Sequence, residues 1–135
     1  MFADTSGWAS LVDRRQSFHS LAATLVQQAC DDGKTIVTTN YVLAELTALL
    51  TSPLHMPRKQ QIQYLADIRG ASWVEIVPID SALDRASWQL WESRLDKNWT
   101  FVDCTSFVVM HQRTLTEALT TDHHFEQAGF IRLLK

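Results

Sequence analysis

Short apolar runs alternate with longer amphipathic segments along this chain. The runs typical of strands cover residues 2–4, 35–38, 73–78, 117–120 and 131–134. Hydrophobic residues recur at helical spacing within residues 17–30, 41–50, 58–70, 80–95 and 104–112. Strands that alternate with helices in this way predict an α/β fold, with a mostly parallel central sheet and helices on both faces. The 135 residues are expected to form a single domain.

The composition is typical of a globular intracellular protein. Hydrophobic residues make up 46% of the chain, which is enough to form a core. No basic segment followed by an apolar stretch opens the chain, and no apolar run approaches the length of a membrane span, so we expect a cytoplasmic protein. Cys30 and Cys104 stand apart without metal-ligand spacing, which predicts small buried thiols in a reducing compartment.

The formal net charge of -3 disfavours non-specific binding of nucleic acid by bulk charge. A local basic rim around a binding site remains compatible with this value. The alternative is that the basic residues form ordinary solvated faces. The candidates for a phosphate-steering rim are Arg14, Arg15, Arg58, Lys59 and Lys97.

Two predicted strands, one near each end of the chain, each deliver an aspartate at the point where the strand ends. Asp4 follows Phe2-Ala3, and Asp122 follows the run that ends at Thr120-Thr121. Ligands of parallel α/β sheets bind outside the carboxyl ends of the strands, so these two acids are expected to meet in one crevice. The alternative for each residue is a helix cap or an Asx-turn.

Two further acids lie beside predicted helices. Glu45 lies in line with Val42 and Leu49 on the helix over 41–50, which directs its carboxylate toward the body of the protein. Buried acids are uncommon unless they are paired or bound to a cation, so a structural salt bridge is the alternative for Glu45. Asp103 precedes the helix over 104–112, where an ordinary N-cap is the alternative.

The combination of four acids is more informative than any one of them. Two carboxylates about 4 Å apart repel each other by about 4 kcal/mol at an effective dielectric constant near 20. A cation makes such convergence tolerable at neutral pH. Oxygen ligands favour hard ions such as Mg²⁺, with Mn²⁺ as the usual substitute, and Mg²⁺ commonly bridges to substrate phosphates. This pattern indicates hydrolysis of phosphodiester bonds.

The blocks around these acids resemble the PIN-domain ribonucleases, particularly the VapC-like toxins of bacterial toxin–antitoxin modules. The resemblance covers essentially the whole chain, from residue 1 to residue 135, and implies a PIN-like three-layer domain. It also places the acidic site of the family on Asp4, Glu45, Asp103 and Asp122. The matching blocks are Ala3-Asp4-Thr5-Ser6, Thr39 to Glu45, Trp99 to Phe107, Leu119 to Phe125, and Gly129-Phe130.

The resemblance implies an endoribonuclease that depends on Mg²⁺, or on Mn²⁺ as its substitute, and that has RNA as its substrate and an antitoxin as its partner. All four carboxylates are expected to be catalytic and to hold one or two metals, with Asp4 and Asp103 as the most direct ligands. The expected products carry a 5′-phosphate and a 3′-hydroxyl. Asp96 could replace or assist one of the four acids. The alternative function is a non-catalytic PIN-like module that binds RNA or protein.

Several conspicuous residues have two interpretations. His123 and His124 could be general acids or metal ligands, but a surface or supporting role is expected because sites of this type work through carboxylates. Trp8 could stack on a base or pack in the core. The helix over 80–95 carries two apolar stripes, of which the one through Trp88, Trp91 and Leu95 predicts a homodimer or an antitoxin bound there and along the helix over 58–70.

Overall fold

The computed structural model describes residues 1–135 and contains five strands and seven helices. The strands β1 to β5 comprise Phe2–Ala3, Ile36–Thr39, Val74–Val77, Glu117–Leu119 and Ile131–Arg132. The helices α1 to α7 comprise Thr5–Val12, His19–Asp31, Asn40–Thr51, Arg58–Gly70, Ser81–Ser93, Phe101–Gln112 and His124–Gln127. None of these helices is both long enough and apolar enough to cross a membrane.

The five strands form one sheet in the order β3-β2-β1-β4-β5, and every neighbouring pair is parallel. The predicted α/β class with a parallel central sheet is therefore confirmed. Phe2 pairs with Val37 on one side and with Ala118 on the other, so β1 lies in the middle of the sheet. The strand order reverses beside β1, and a crevice opens at such a reversal beyond the carboxyl ends of the strands. The residues after β1 and β4 flank this crevice.

The core explains why such short strands hold together. Phe2, Ala3, Ile36 and Leu119 are fully buried, as is the indole of Trp8. Trp8 donates a hydrogen bond from its Nε1 to the Thr38 hydroxyl at 3.1 Å, which satisfies its one polar group. Trp8 therefore packs in the core and presents no face to a base.

Gly7 sets the close approach of α1 to the end of β4. A Cβ atom added at Gly7 would lie 2.0 Å from the backbone oxygen of Leu119. Only a residue without a side chain fits at this distance. The absence of a Cβ thus brings the first turn of α1, directly after Asp4, against the chain that leads to Asp122.

The start of α6 differs from the prediction. The helix begins at Phe101, so the predicted start at Cys104 is wrong by three residues. Thr100 is the N-cap, and its hydroxyl accepts a hydrogen bond from the Asp103 amide while the Asp103 carboxylate accepts one from the Thr100 amide. This capping box stabilises the first turn from within. Asp103 is consequently the third residue of the helix and not its N-cap.

The two stripes on α5 differ in exposure as predicted. Leu83 is buried against the core, whereas Trp88 is 51% exposed and Trp91 41%. Leu95, which is 93% exposed, lies two residues beyond the end of α5, so the predicted end of this helix at Leu95 is wrong. The two indoles contact each other, with ring centroids 5.3 Å apart, and both pack against Phe101. The outer stripe is therefore an exposed apolar surface on the outside of the molecule.

Candidate active site

Asp4 follows β1 and occupies the N-cap position of α1. Its backbone is extended, but its side chain makes no capping hydrogen bond to the helix. The carboxylate instead accepts a hydrogen bond from the Thr120 hydroxyl, with 3.1 Å between Thr120 Oγ1 and Asp4 Oδ2. Asp4 is only 6% exposed. Helix capping therefore does not account for this buried acid.

Glu45 reaches the same place from α3. Its Oε1 accepts a hydrogen bond of 2.7 Å from the hydroxyl of Thr5, the residue next to Asp4. Asp4, Glu45 and Asp122 all line one open cleft, together with Ser6 and neighbouring residues of α1 and α3. The half-buried Glu45 has no basic partner, so the structural salt bridge considered as its alternative is absent.

Thr120 connects Asp4 to the loop that follows β4. Its buried hydroxyl donates to Asp4, lies 3.0 Å from the Ser6 hydroxyl, and accepts a hydrogen bond of 3.0 Å from the Asp122 amide. The Ser6 hydroxyl in turn accepts a hydrogen bond from the Thr121 amide. These bonds fix the loop carrying Asp122 against the first turn of α1.

Asp103 completes the set from α6. Its Oδ2 lies 3.1 Å from Nδ1 of His124, and the same ring nitrogen lies 3.4 Å from Oδ1 of Asp122. The Asp122 Oδ1 also accepts a hydrogen bond of 2.9 Å from the His124 amide. A chain of contacts therefore joins all four predicted acids, from Glu45 through Asp4 and Asp122 to Asp103.

The four carboxylates share one feature. In each, a single oxygen accepts the hydrogen bonds described above, and the second oxygen has no donor of good geometry within the chain. The engaged atoms are Asp4 Oδ2, Glu45 Oε1, Asp103 Oδ2 and Asp122 Oδ1. Each acid is thus oriented by the protein and keeps one oxygen available for another ligand.

The electrostatics of the cleft favour a cation. The pKa of Asp4 is raised from 3.8 to about 7, chiefly by burial and in part by the negative charges of Asp103 and Glu45. Burial also raises the pKa of Asp103, and the charge of Asp122 adds to the effect. A nearby positive charge reverses such shifts because it stabilises the ionised carboxylates. An all-oxygen set of this kind fits a hard divalent cation.

Asp96 does not join this site. Its carboxylate forms a bidentate pair with Arg94, with both N–O distances 3.0 Å, and it is 60% exposed. The hydrogen bond from Arg94 lowers the pKa of Asp96 to about 2. The alternative in which Asp96 replaces or assists one of the four acids is therefore wrong.

Two supporting residues complete the site. His124 occupies one of the two roles expected for it, a supporting one, since its ring bridges Asp103 and Asp122. Thr120 was not predicted to belong to the site, and its position in Thr120-Thr121-Asp122, two residues before an acid, is the only signal in the sequence. Asp122, His123 and His124 also bring their potential ligand atoms within 4.8 Å of one another, but the His123 ring is 63% exposed, so His123 is not included in the site.

The parallel sheet and the acidic cleft at its strand-order reversal together define a class of protein. The PIN domain model matches residues 1–131, and the chain belongs to the PIN-domain family. Among curated proteins, the 23S rRNA-specific endonuclease VapC20 of Mycobacterium tuberculosis is 28% identical over 133 residues, which are 98% of this chain and 97% of that protein. These matches confirm the predicted family and the predicted enzyme class.

Solved structures agree with this assignment. The crystal structure of Mycobacterium tuberculosis VapC20, described as a toxin that cleaves the sarcin-ricin loop, matches with a TM-score of 0.85 at 27% identity and covers 99% of this chain and 98% of that one. FitAcB from Neisseria gonorrhoeae matches with a TM-score of 0.67 at 16% identity and covers 99% of this chain and 96% of that one. The second match confirms the fold.

The Thr120 hydroxyl offers a first test of the site. Thr120→Val keeps the shape of the side chain but leaves the Asp122 amide and the buried Asp4 carboxylate without their Thr120 partner. We expect a loss of about 2 kcal/mol of stability, measured by urea unfolding, and roughly tenfold slower RNA cleavage. Thr121→Val is the matched control for stability, because the hydroxyl of Thr121 makes no hydrogen bond within the chain. Equal stability of the two variants would contradict the prediction.

Proposed function

We propose that this PIN-domain nuclease hydrolyses RNA phosphodiester bonds with Asp4, Glu45, Asp103 and Asp122 as its catalytic residues. The observation that carries the proposal is the arrangement of the four carboxylates, each with one oxygen held by the protein and one oxygen without a donor. Asp4, Glu45 and Asp122 line one cleft, and Asp103 is joined to Asp122 through the His124 ring. Carboxylates arranged only as helix caps or salt bridges would have their oxygens engaged by amides or basic side chains.

We propose Mg²⁺ as the cofactor, with Mn²⁺ as its substitute. Asp4 and Asp103 would be the most direct ligands, and Glu45 and Asp122 would complete the site directly or through water. When bound, the cation supplies positive charge at the scissile phosphate and a water molecule activated for attack. The chain contributes the orientation: Thr5 fixes Glu45, and Thr120 fixes Asp4 and the loop that carries Asp122.

The substrate proposal rests on VapC20, whose similarity covers 98% of this chain. VapC20 is named for cleavage of 23S rRNA, so we propose a structured RNA, with 23S rRNA as the first candidate. The cleft at the acids is open, which suits an extruded or looped segment of RNA better than a small molecule. Arg14 and Lys59 are exposed and are the candidates for steering phosphates toward it.

Cleavage of ribosomes and of total RNA by the purified protein tests this function. The protein is incubated with Mn²⁺, with Mg²⁺ or with EDTA, and the fragments are mapped by primer extension. We expect discrete fragments that require a divalent cation and that carry a 5′-phosphate and a 3′-hydroxyl. RNA binding without cleavage under any of these conditions would instead support the alternative of a non-catalytic module.

We further propose that an antitoxin docks in the groove between α3 and α4. This groove has a volume of about 840 Å³ and is half apolar. Arg58 and Arg69 stand among its lining residues, so a partner segment with apolar side chains flanked by acidic residues is complementary to it. The apolar lining consists of Leu43, Ala44, Ala48, Ile62, Leu65 and Ile76.

The exposed stripe that Trp88 and Trp91 of α5 form with Leu95, just beyond the end of this helix, is proposed as a homodimer interface. Leu95→Glu places a charge on the most exposed apolar residue of the stripe, and we expect at least tenfold weaker dimerisation by sedimentation velocity because the charge would be desolvated at the interface. Ile62→Glu, on α4, is the matched control and should leave the dimer intact. A dimer broken by Ile62→Glu and unaffected by Leu95→Glu would place the interface on α4 instead.

A further inference from the structure

We propose that His124 is a positioning residue that orients the carboxylates of Asp103 and Asp122 for a divalent cation. This inference rests on the proposed function, because it assigns a role to a residue that supports the same site. His124 is not one of the four carboxylate residues predicted to bind the metal. Its importance follows from where its ring lies in the fold.

The His124 ring lies between two acids that come from different elements. Its Nδ1 is 3.1 Å from Asp103 Oδ2 on α6 and 3.4 Å from Asp122 Oδ1 in the loop after β4. The ring is only 19% exposed, so these contacts are partly shielded from solvent. Two carboxylates that repel each other are thus held together around one N–H donor.

The hydrogen bonds determine which oxygens stay available. Asp103 Oδ2 receives both the Thr100 amide at 3.0 Å and the His124 ring nitrogen. Two donors on one oxygen leave Oδ1 as the oxygen that Asp103 offers to a ligand. On Asp122 the His124 amide engages Oδ1 in the same way and leaves Oδ2. One residue therefore sets the orientation of two carboxylates.

His124 acts through these acids and not as a ligand at Nδ1. We assign the His124 tautomer with its proton on Nδ1, because this nitrogen lies 3.1 Å from Asp103 Oδ2 and can donate to it. A nitrogen that carries a proton has no lone pair for a metal. Hydrogen bonds of this kind, from a neighbour to a metal-binding side chain, typically change metal affinity by about 10–100-fold.

His123 provides a natural comparison. Its ring is 63% exposed, and its Nδ1 lies 3.7 Å from Asp122, beyond hydrogen-bond distance. It forms no contact of this kind with Asp103. The two neighbouring histidines therefore carry the same ring chemistry, but only His124 is placed to orient both carboxylates.

Calorimetric titration with Mn²⁺ alone tests the proposal on the purified full chain. His124→Ala should weaken Mn²⁺ binding by about 10–100-fold. His124→Asn places an amide nitrogen where Nδ1 lies and should stay within about threefold of the natural protein, whereas His124→Gln reaches too far and should behave like the alanine variant. His123→Ala should change the affinity by less than about threefold. Thermal melting without metal verifies that each variant is folded.

A kinetic measurement separates positioning from a merely structural effect. At limiting Mn²⁺ the turnover number of His124→Ala should fall, and saturating Mn²⁺ should restore most of it, while the KM for RNA stays unchanged. Mn²⁺ binding by His124→Ala as tight as that of the natural protein would overturn the proposal. An equal loss in His123→Ala would also overturn it, because the effect would then be one of local charge. Failure of the natural protein to bind Mn²⁺ would overturn the proposed function itself.

Discussion

Asp4→Asn is expected to slow RNA cleavage at least about a thousandfold and to raise the melting temperature at pH 8. The catalytic loss follows from removing a charged oxygen ligand at the centre of the site. The gain in stability follows from burial, because Asp4 is 6% exposed and its ionised form lacks a cationic partner in the chain. The amide variant can still accept the hydrogen bond from Thr120.

The pH dependence of this stability gain has a definite sign. Because the pKa of Asp4 is raised from 3.8 to about 7, the folded protein binds the proton more tightly than the unfolded chain does. The stability that the protonated Asp4 side chain contributes to the natural protein is complete below about pH 4 and is lost as the pH rises through 7. In metal-free buffer, Asp4→Asn should therefore melt roughly 10 °C above the natural protein at pH 8 and close to it at pH 4.

Asp96→Asn is the matched control for this variant. Asp96 is exposed and paired only with neighbouring basic residues, so cleavage should be unchanged and the melting temperature should shift little. Added Mn²⁺ should raise the melting temperature of the natural protein and not that of Asp4→Asn. Asp4→Asn that melts lower than the natural protein at both pH values would show that Asp4 has a structural role instead.

Gly7→Ala is expected to destabilise the fold by roughly 3 kcal/mol, which corresponds to a fall of roughly 10 °C in melting temperature. The new Cβ would lie 2.0 Å from the Leu119 oxygen, and a backbone atom of a central strand cannot move away independently. Alanine normally stabilises a helix by about 1 kcal/mol relative to glycine. A loss of stability in Gly7→Ala would therefore point to the close packing at this position. Cleavage should fall as well, because α1 carries Asp4 and Ser6.

Gly70→Ala is the control for this prediction. Gly70 ends α4, and an added Cβ there meets no atom within 4 Å. The variant should be as stable as the natural protein or slightly more stable. Thermal melts of both variants compare the two positions directly. A Gly7→Ala protein that melts with the natural protein would mean that α1 does not pack against the end of β4 as described.

The five strands, five of the seven helices and the four acids could be predicted from local sequence patterns, whereas α1 and α7 are too short to show a clear helical period. Asp4 and Asp122 follow apolar runs, and a parallel sheet places the ends of such runs at one edge. Glu45 lies on an inward helical line. These features depend on periodicity and on the residues next to the acid, which a single sequence displays.

The contacts that hold the acids depend on residues far apart in the chain, and so they could not be predicted. Thr120 and Asp4 are 116 residues apart, and His124 and Asp103 are 21 apart. Nothing in the sequence separates His124 from its neighbour His123, since only the fold turns one ring inward. Gly7 likewise resembles any helical glycine until β4 is placed beside it. The start of α6 is hard to predict because Asp103 is as good an N-cap by residue type as Thr100.

The most direct test of the account is a crystal structure of the protein grown with Mn²⁺, with diffraction data collected at the manganese absorption edge. We predict an anomalous peak between the carboxylates of Asp4 and Asp103, with Glu45 and Asp122 around it, and its absence from crystals of Asp4→Asn. A peak held by Asp122, His123 and His124 alone, or no peak in the cleft at saturating Mn²⁺, would contradict the proposal that these four carboxylates form the metal site of a ribonuclease.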